Sequence, residues 1–270
     1  MKPVICMVAP NGARRTKSDH QAIPLTPDEL AHTAQSVVAA GATALHLHVR
    51  DADGKHSLNV DLYRQAIDAI GNVCGQALLL QVTTEAAGIY EVQQQIELIY
   101  DLQPQAVSLS VRELAAATQQ DISALDIWMR DHQVLPQWIL YNENDLQQYK
   151  SWVKEGVLSG TAYPVLFVLG NYVKNIVAEV EMLDAFLPSM SSVSCWMVCA
   201  FGHTEQAVMK SVIANGGHMR VGFENNIWRL NHEQVKDNAE LVSTALFSVG
   251  EQGLVSATGA QTRQLLTPQW

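Results

Sequence analysis

Short apolar runs alternate with amphipathic helical patterns along this 270-residue chain, and that alternation constrains its fold more than any single motif. Strand-like runs lie at residues 4–9, 44–49, 77–82, 106–110, 138–141, 165–169, 193–198 and 219–221. The first helical pattern between them is well punctuated. Thr26-Pro27-Asp28-Glu29 forms a capping box with proline at the first helical position. Leu30, Ala34, Val37 and Val38 then make an apolar stripe, which Gly41 ends. A second helix follows Asn59 and carries Leu62, Tyr63, Ala66, Ile67 and Ile70. The last is expected to start at Asn231 and carries Val235, Ala239, Val242, Ala245, Leu246 and Val249. Strict β–α alternation implies a parallel sheet. Eight repeats in a length near the ~250 residues of such barrels favour a closed α/β (βα)8 TIM barrel, one domain over residues 1–270. No glycine-rich fingerprint follows the first strand, so an open dinucleotide-binding sheet loses its main support.

The chain is 48% apolar, ample for a sizeable core, with formal charge −10 and pI about 5.3. No Lys/Arg-rich stretch stands out, so nucleic acid is not an expected partner. No apolar run has membrane-spanning length, so no membrane role is expected. The first residues lack a signal peptide's longer apolar region, which makes the cytoplasm the expected location. Cys6, Cys74, Cys195 and Cys199 are too sparse for a disulfide framework. Cys195 and Cys199 share a face of one strand-like run and read as small buried hydrophobes.

The chemistry concentrates in Leu45-His46-Leu47-His48-Val49-Arg50-Asp51. On a strand, side chains two residues apart share a face. His46 and His48 would converge on one point, as two ligands of one metal ion must, while Leu45, Leu47 and Val49 face the helices. The pair alone fits two ordinary core or surface histidines better than a metal site. A third candidate ligand ends the run His218-Met219-Arg220-Val221-Gly222-Phe223-Glu224. Two imidazoles and one carboxylate leave an open coordination position, the catalytic rather than the structural zinc pattern. In a closed barrel their strands are separated by strand one alone, so their ends can meet at the mouth. This donor set does not itself choose between a polarised ketone and an activated water. It leaves open a zinc hydrolase or aldolase, or a non-catalytic metal-retaining binder of acyl-CoA or keto acid.

Several separated motifs, in order and nearly end to end, make the chain resemble the β-keto acid cleavage enzyme family, of the 3-keto-5-aminohexanoate cleavage type. They are Asn11-Gly12-Ala13, Pro24-Leu25-Thr26-Pro27-Asp28-Glu29, His46-Leu47-His48-Val49-Arg50, Phe167-Val168-Leu169-Gly170 and Gly216-Gly217-His218-Met219-Arg220-Val221-Gly222-Phe223-Glu224. The resemblance implies a zinc-dependent (βα)8 enzyme that converts a β-keto acid and acetyl-CoA to acetoacetate and a new acyl-CoA. It also implies a homo-oligomer, expected as a tetramer. The terminal Leu265-Leu266-Thr267-Pro268-Gln269-Trp270 supplies apolar candidates for an interface. By the same likeness His46, His48 and Glu224 are the zinc ligands and Arg220 the active-site arginine. Thr83, with Thr84 beside it, and Ser108 stand where the family places substrate-binding hydroxyls.

The departures from the family pattern matter equally. Asn225 stands where an acidic residue follows the glutamate ligand, and an amide cannot take a proton. A carboxylate common after strand five is replaced around Ile139. The usual Thr-Gly-Gly after strand three reads Thr84-Glu85-Ala86, which makes Glu85 the candidate base. An acidic residue that some members carry in the first loop is Arg14 here. Arg14 or Arg15 would favour a substrate with an anionic tail over one with an amine.

Overall fold

The computed structural model of the protein describes residues 2–171 and 173–270. Eight parallel strands close into a barrel. They are β1 Cys6–Val8, β2 Ala44–Leu47, β3 Leu79–Thr83, β4 Ala106–Ser110, β5 Leu135–Leu140, β6 Pro164–Leu169, β7 Cys195–Ala200 and β8 His218–Val221. Each pairs with its sequence neighbours, and β8 pairs with β1 to complete the ring. Every expected strand-like run therefore contributes one stave. Period-two alternation sorts the side chains. Met7, Ala44, Leu79, Ala106, Ile139, Leu166, Met197 and Cys199 fill the interior. Leu45, Leu47, Val82, Val107, Trp138, Phe167, Val198 and Val221 form the layer beneath the helices. Strand β5 begins three residues before the sequence suggests, because Pro136 sits within it, paired opposite Val107.

The surrounding helices are α1 Pro27–Ala39, α2 Val60–Cys74, α3 Val92–Leu102, α4 Gln119–Asp131, α5 Glu143–Lys154, α6 Glu205–Ala214 and α7 Asn238–Glu251, followed by α8 Gly259–Leu265. Thr26 and Glu29 close the expected capping box of α1, and Asn59 caps α2; such caps are worth about 1 kcal/mol each. Among the described residues, the crossover between β6 and β7 carries no long helix, only the turn Glu181–Asp184 and the 3-10 segment Leu187–Ser192.

One sequence expectation is corrected. Helix α7 starts at Asn238, not Asn231: the Asn231 side chain closes a loop turn on Glu233 N, and Asp237 is the cap, accepting from Glu240 N at 2.9 Å. The chain's end also packs within the molecule. Leu266 packs into the interior cluster, and Thr262 on α8 meets Thr43 at 2.7 Å, so this segment closes the barrel floor. Trp270 rests edge-on against Tyr163. The four cysteines are free, and burial pushes the Cys195 and Cys199 thiols up to about 12 and about 11, consistent with their packing role. Among the described residues no helix is long and apolar enough to cross a membrane.

Candidate metal centre and active site

The three candidate ligands converge at the C-terminal mouth of the barrel. His46 lies on β2 and His48 just beyond it, where the chain leaves the barrel and pairs Val49–Arg50 with His56–Ser57. Asn11 fixes this exit by donating from Nδ2 to the His48 carbonyl at 3.2 Å. Glu224 arrives from the turn after β8. Gly222 (φ +128) makes that turn possible, since a Cβ there would lie 2.4 Å from the Ala9 carbonyl oxygen. The Glu224 amide then donates to the same Ala9 oxygen at 3.0 Å. Gly12 (φ +64) brings the first loop against the ligand itself; a Cβ there would stand 2.6 Å from Glu224 Cγ.

The two His Nε2 atoms are 3.1 Å apart, and Glu224 Oε2 lies 3.6 Å from that of His46 and 3.4 Å from that of His48. Ligand bonds of about 2.0–2.1 Å in tetrahedral geometry give ligand–ligand edges of about 3.3–3.4 Å, which these separations match. Glu224 Oε2 and His48 Nδ1 are buried without a hydrogen-bond partner. An orphaned carboxylate oxygen facing two imidazole nitrogens is an arrangement that a cation satisfies. His46 Nδ1 meets Gln81 Oε1 at 2.8 Å, and Gln81 donates in turn to Gln137 at 2.9 Å. That chain orients Gln81 as acceptor, so His46 carries its proton on Nδ1 and turns the Nε2 lone pair to the site. Burial, aided by Arg220, lowers the His46 pKa to about 3, so the ring is neutral as a ligand must be. Burial alone would raise the Glu224 carboxyl; Arg220, His46 and His48 outweigh it and hold it well below the ordinary range. These residues could hold one divalent metal ion.

Arg220, buried inside β8, donates to Glu224 Oε1 at 3.2 Å and to Cys199 Sγ at 3.3 Å. Glu85 follows β3 and lines the same mouth as Arg220 and Glu224. Its loop is tied at successive peptide groups. Tyr63 donates to the Thr83 carbonyl, Gln95 to that of Thr84, and His56 Nε2 to that of Glu85. The Glu85 amide donates to Thr83 Oγ1, and the Ala86 amide to Glu113. Burial, with Glu224 and Glu113 nearby, raises the Glu85 pKa against the opposing pull of His48 and Arg14. A carboxylate so held, with raised basicity, is equipped to take a proton.

The other expected residues divide. Arg14 lines the mouth but reaches Glu85 at 3.5 Å and is 46% exposed. Thr83, Thr84 and Ser108 line a small inner pocket beside His46 and Glu224. Thr83 is engaged by the Glu85 amide and Thr84 by the Ser108 carbonyl, while Ser108 Oγ is buried without a partner. Ile139 of β5 lines the same pocket, and β5, Leu135–Leu140, carries no carboxylate. Asn225 is fully buried and lines a neighbouring cleft with Arg15, His203 and His232 rather than the mouth. Sequence reasoning missed Gln81, Ser110, Arg112, Glu113 and Tyr141. Gln81 shares β3's inward face with Thr83 and stands opposite His46 across the β2–β3 pair, a register signal that could have found it. The other four sit at or just past the ends of β4 and β5, positions that a barrel assignment marks as mouth-lining.

A sequence-family model described as beta-keto acid cleavage enzyme matches residues 3–267. A 3-keto-5-aminohexanoate cleavage enzyme of Acetoanaerobium sticklandii is 28% identical, with 98% of each chain covered. A 3-oxoadipate:acetyl-CoA acetyltransferase of Cupriavidus necator is 26% identical over 98% of this chain and 95% of that one. Among solved structures, apo ObcA superposes with TM-score 0.68 at 16% identity; the match covers 92% of this chain and 66% of ObcA, and supports the fold alone.

Proposed function

The chain belongs to the β-keto acid cleavage enzyme family, and from that premise we propose that it is a zinc-dependent enzyme converting a β-keto acid and acetyl-CoA to acetoacetate and a new acyl-CoA. The observation that carries the reading is the gathering, at one barrel mouth, of a ligand triad, a buried arginine and a carboxylate of raised pKa.

His46, His48 and Glu224 would hold the ion. When bound, zinc there supplies Lewis acidity toward the keto oxygen. Arg220 offers a planar fork of donors to the substrate carboxylate. Glu85 removes a proton from the carbon between ketone and carboxylate. That carbon then forms a bond to the acetyl carbonyl of acetyl-CoA and the thiolate leaves. The thiolate attacks the original ketone, the bond between the two former substrate carbons breaks, and the carbon released takes back the proton held by Glu85, so that acetoacetate departs as the acyl-CoA forms. Ser108 Oγ, buried and unpartnered, donates to a substrate oxygen in the inner pocket. Thr83 and Thr84 shape that pocket while anchoring the Glu85 loop. Asn225, an amide away from the mouth, takes no proton; Glu85 replaces the base that this position would otherwise supply.

The substrate carries an anionic tail. Four guanidinium groups, from Arg14, Arg15, Arg112 and Arg220, line the mouth against the carboxylates of Glu85 and Glu224, and that balance disfavours an ammonium tail. A cytoplasmic homotetramer completes the proposal, with the exposed Val173, Leu230 and Phe247 as candidates for coverage between copies; sedimentation equilibrium tests it.

The deciding experiment incubates zinc-loaded protein with acetyl-CoA and anionic, neutral and cationic β-keto acids, and measures acetoacetate. Release that needs acetyl-CoA and is lost in His46→Ala supports the reading. No release with zinc still bound overturns it in favour of activated-water chemistry or a non-catalytic binder.

A further inference from the structure

We propose that Arg112, its guanidinium laid on the Tyr141 ring, forms a distal anion subsite that grips a carboxylate at the far end of the substrate's acyl chain. The inference rests on the substrate reading above and assigns the group that reads the tail.

Arg112 follows β4 by two residues, and Tyr141 directly follows β5. In the ring of strands β4 stands opposite β8, so Arg112 and the metal ligand Glu224 flank the mouth from opposite sides. The other cations of the mouth are engaged. Arg220 is paired with Glu224 at 3.2 Å, and Arg14 with Glu85 at 3.5 Å. Arg15 is buried and reaches the Asn225 carbonyl. Arg112 differs. Its contact is the face of Tyr141, with the guanidinium carbon 3.5 Å from the ring centroid. Among the described residues no carboxylate comes within ion-pair distance of it.

Stacking fixes the plane of the guanidinium through its face and leaves the in-plane N–H donors unengaged. Those donors form the fork that matches a carboxylate edge-on in bidentate geometry. Val168 and Phe201 line the same cleft and suit the methylenes of a short acyl chain. The ligand class that joins these features is a β-keto acid ending in a second carboxylate. Its keto acid end lies at His46, His48, Glu224 and Arg220, and its tail carboxylate lies on Arg112. Arg14, held by Glu85, is left to steady the base.

The test has two arms, each run on wild type, Arg112→Met, Arg112→Lys and Tyr141→Leu. Calorimetry compares adipate with hexanoate, unreactive acids of equal length that differ in the second carboxylate. Wild type should favour adipate by at least about 10-fold, Arg112→Met should abolish the preference, and Arg112→Lys should restore part of it. Tyr141→Leu, which removes the platform but not the charge, should fall between. The kinetic arm compares 3-oxoadipate with 3-oxohexanoate in acetyl-CoA-dependent acetoacetate release. The ratio of their kcat/KM should fall by about 10–100-fold in Arg112→Met, chiefly through KM. An adipate preference that persists in Arg112→Met overturns the subsite, whatever the kinetics. Absence of turnover with every keto acid overturns the parent reading instead, and calorimetry still decides the subsite.

Discussion

Gly12→Ala tests whether the first loop positions the metal ligand, and the structure sets its size. Gly12 has φ +64, where an alanine costs about 1–2 kcal/mol. The new methyl would also stand 2.6 Å from Glu224 Cγ and 3.0 Å from its Cβ. Relief to ordinary contact near 3.4 Å demands a retreat of about 0.8 Å by the ligand side chain, against a tolerance of about 0.2 Å in metal–ligand distances. The loop cannot easily give way instead, because Arg50 donates to both the Gly12 and Arg15 carbonyls. Metal-free protein should lose about 2–8 °C in Tm, at roughly 2–4 °C per kcal/mol for a domain of this size. Zinc affinity, read by chelator competition, should fall at least about 10–100-fold, the range for loss of an orienting partner. The extra Tm that zinc confers on wild type should shrink in step, since that increment reports binding to the folded state. Unchanged zinc affinity in a destabilised variant would reduce Gly12 to a turn residue. Unchanged affinity and stability together would refute both the backbone and the contact arguments.

Three further outcomes follow. Glu85→Gln should keep its zinc and lower kcat by about 10²–10⁴-fold, the usual worth of a positioned base; near-normal turnover removes Glu85 from the mechanism. Because burial raises its pKa and the base must be ionised, wild-type kcat/KM should fall as pH drops through a value above the ordinary 4.5, and that limb should be absent in Glu85→Gln. Gln81→Leu removes the acceptor that fixes His46 and should weaken zinc binding about 10–100-fold in the same chelator assay, with retention of wild-type affinity as the contrary result. Finally, metal-free stability measured by urea unfolding should peak near pH 6.5. Burial lowers His56 to about 3 and His218 to about 4, so below 6.5 the unfolded chain takes up protons that these sites refuse; each costs up to about 1.4 kcal/mol per pH unit as pH falls. Burial raises Glu205 to about 8, so its contribution is lost as pH climbs toward that value. A stability that rises steadily from pH 6.5 to 8 would contradict the Glu205 assignment.

The sequence by itself determined the barrel and the candidate ligand triad on its rim. Period-two apolar runs and capped helical stripes are local signals, written in neighbouring residues, and eight of them in alternation leave few topologies. Once β2 and β8 were assigned, strand geometry put His46 and His48 on one point and brought Glu224 within reach, since a strand's side-chain direction follows from its backbone. The start of α7 escaped because Asn231 and Asp237 are both good caps, and contacts of the 226–235 loop with Asp19 and His20 of the first loop accompany the second. The surroundings of Asn225 and Glu85 escaped for a similar reason. Which way a mouth residue faces depends on the turn that carries it, and the pKa of Glu85 depends on Glu224, Glu113, His48 and Arg14, which come from four other segments. Gln81, Arg112 and Tyr141 acquire meaning only across strands, from register and from a ring stack between adjacent loops. Local periodicity fixes where the staves and their ligands lie; the electrostatics and shape of the mouth belong to residues distant in sequence, and the closed barrel alone brings them together.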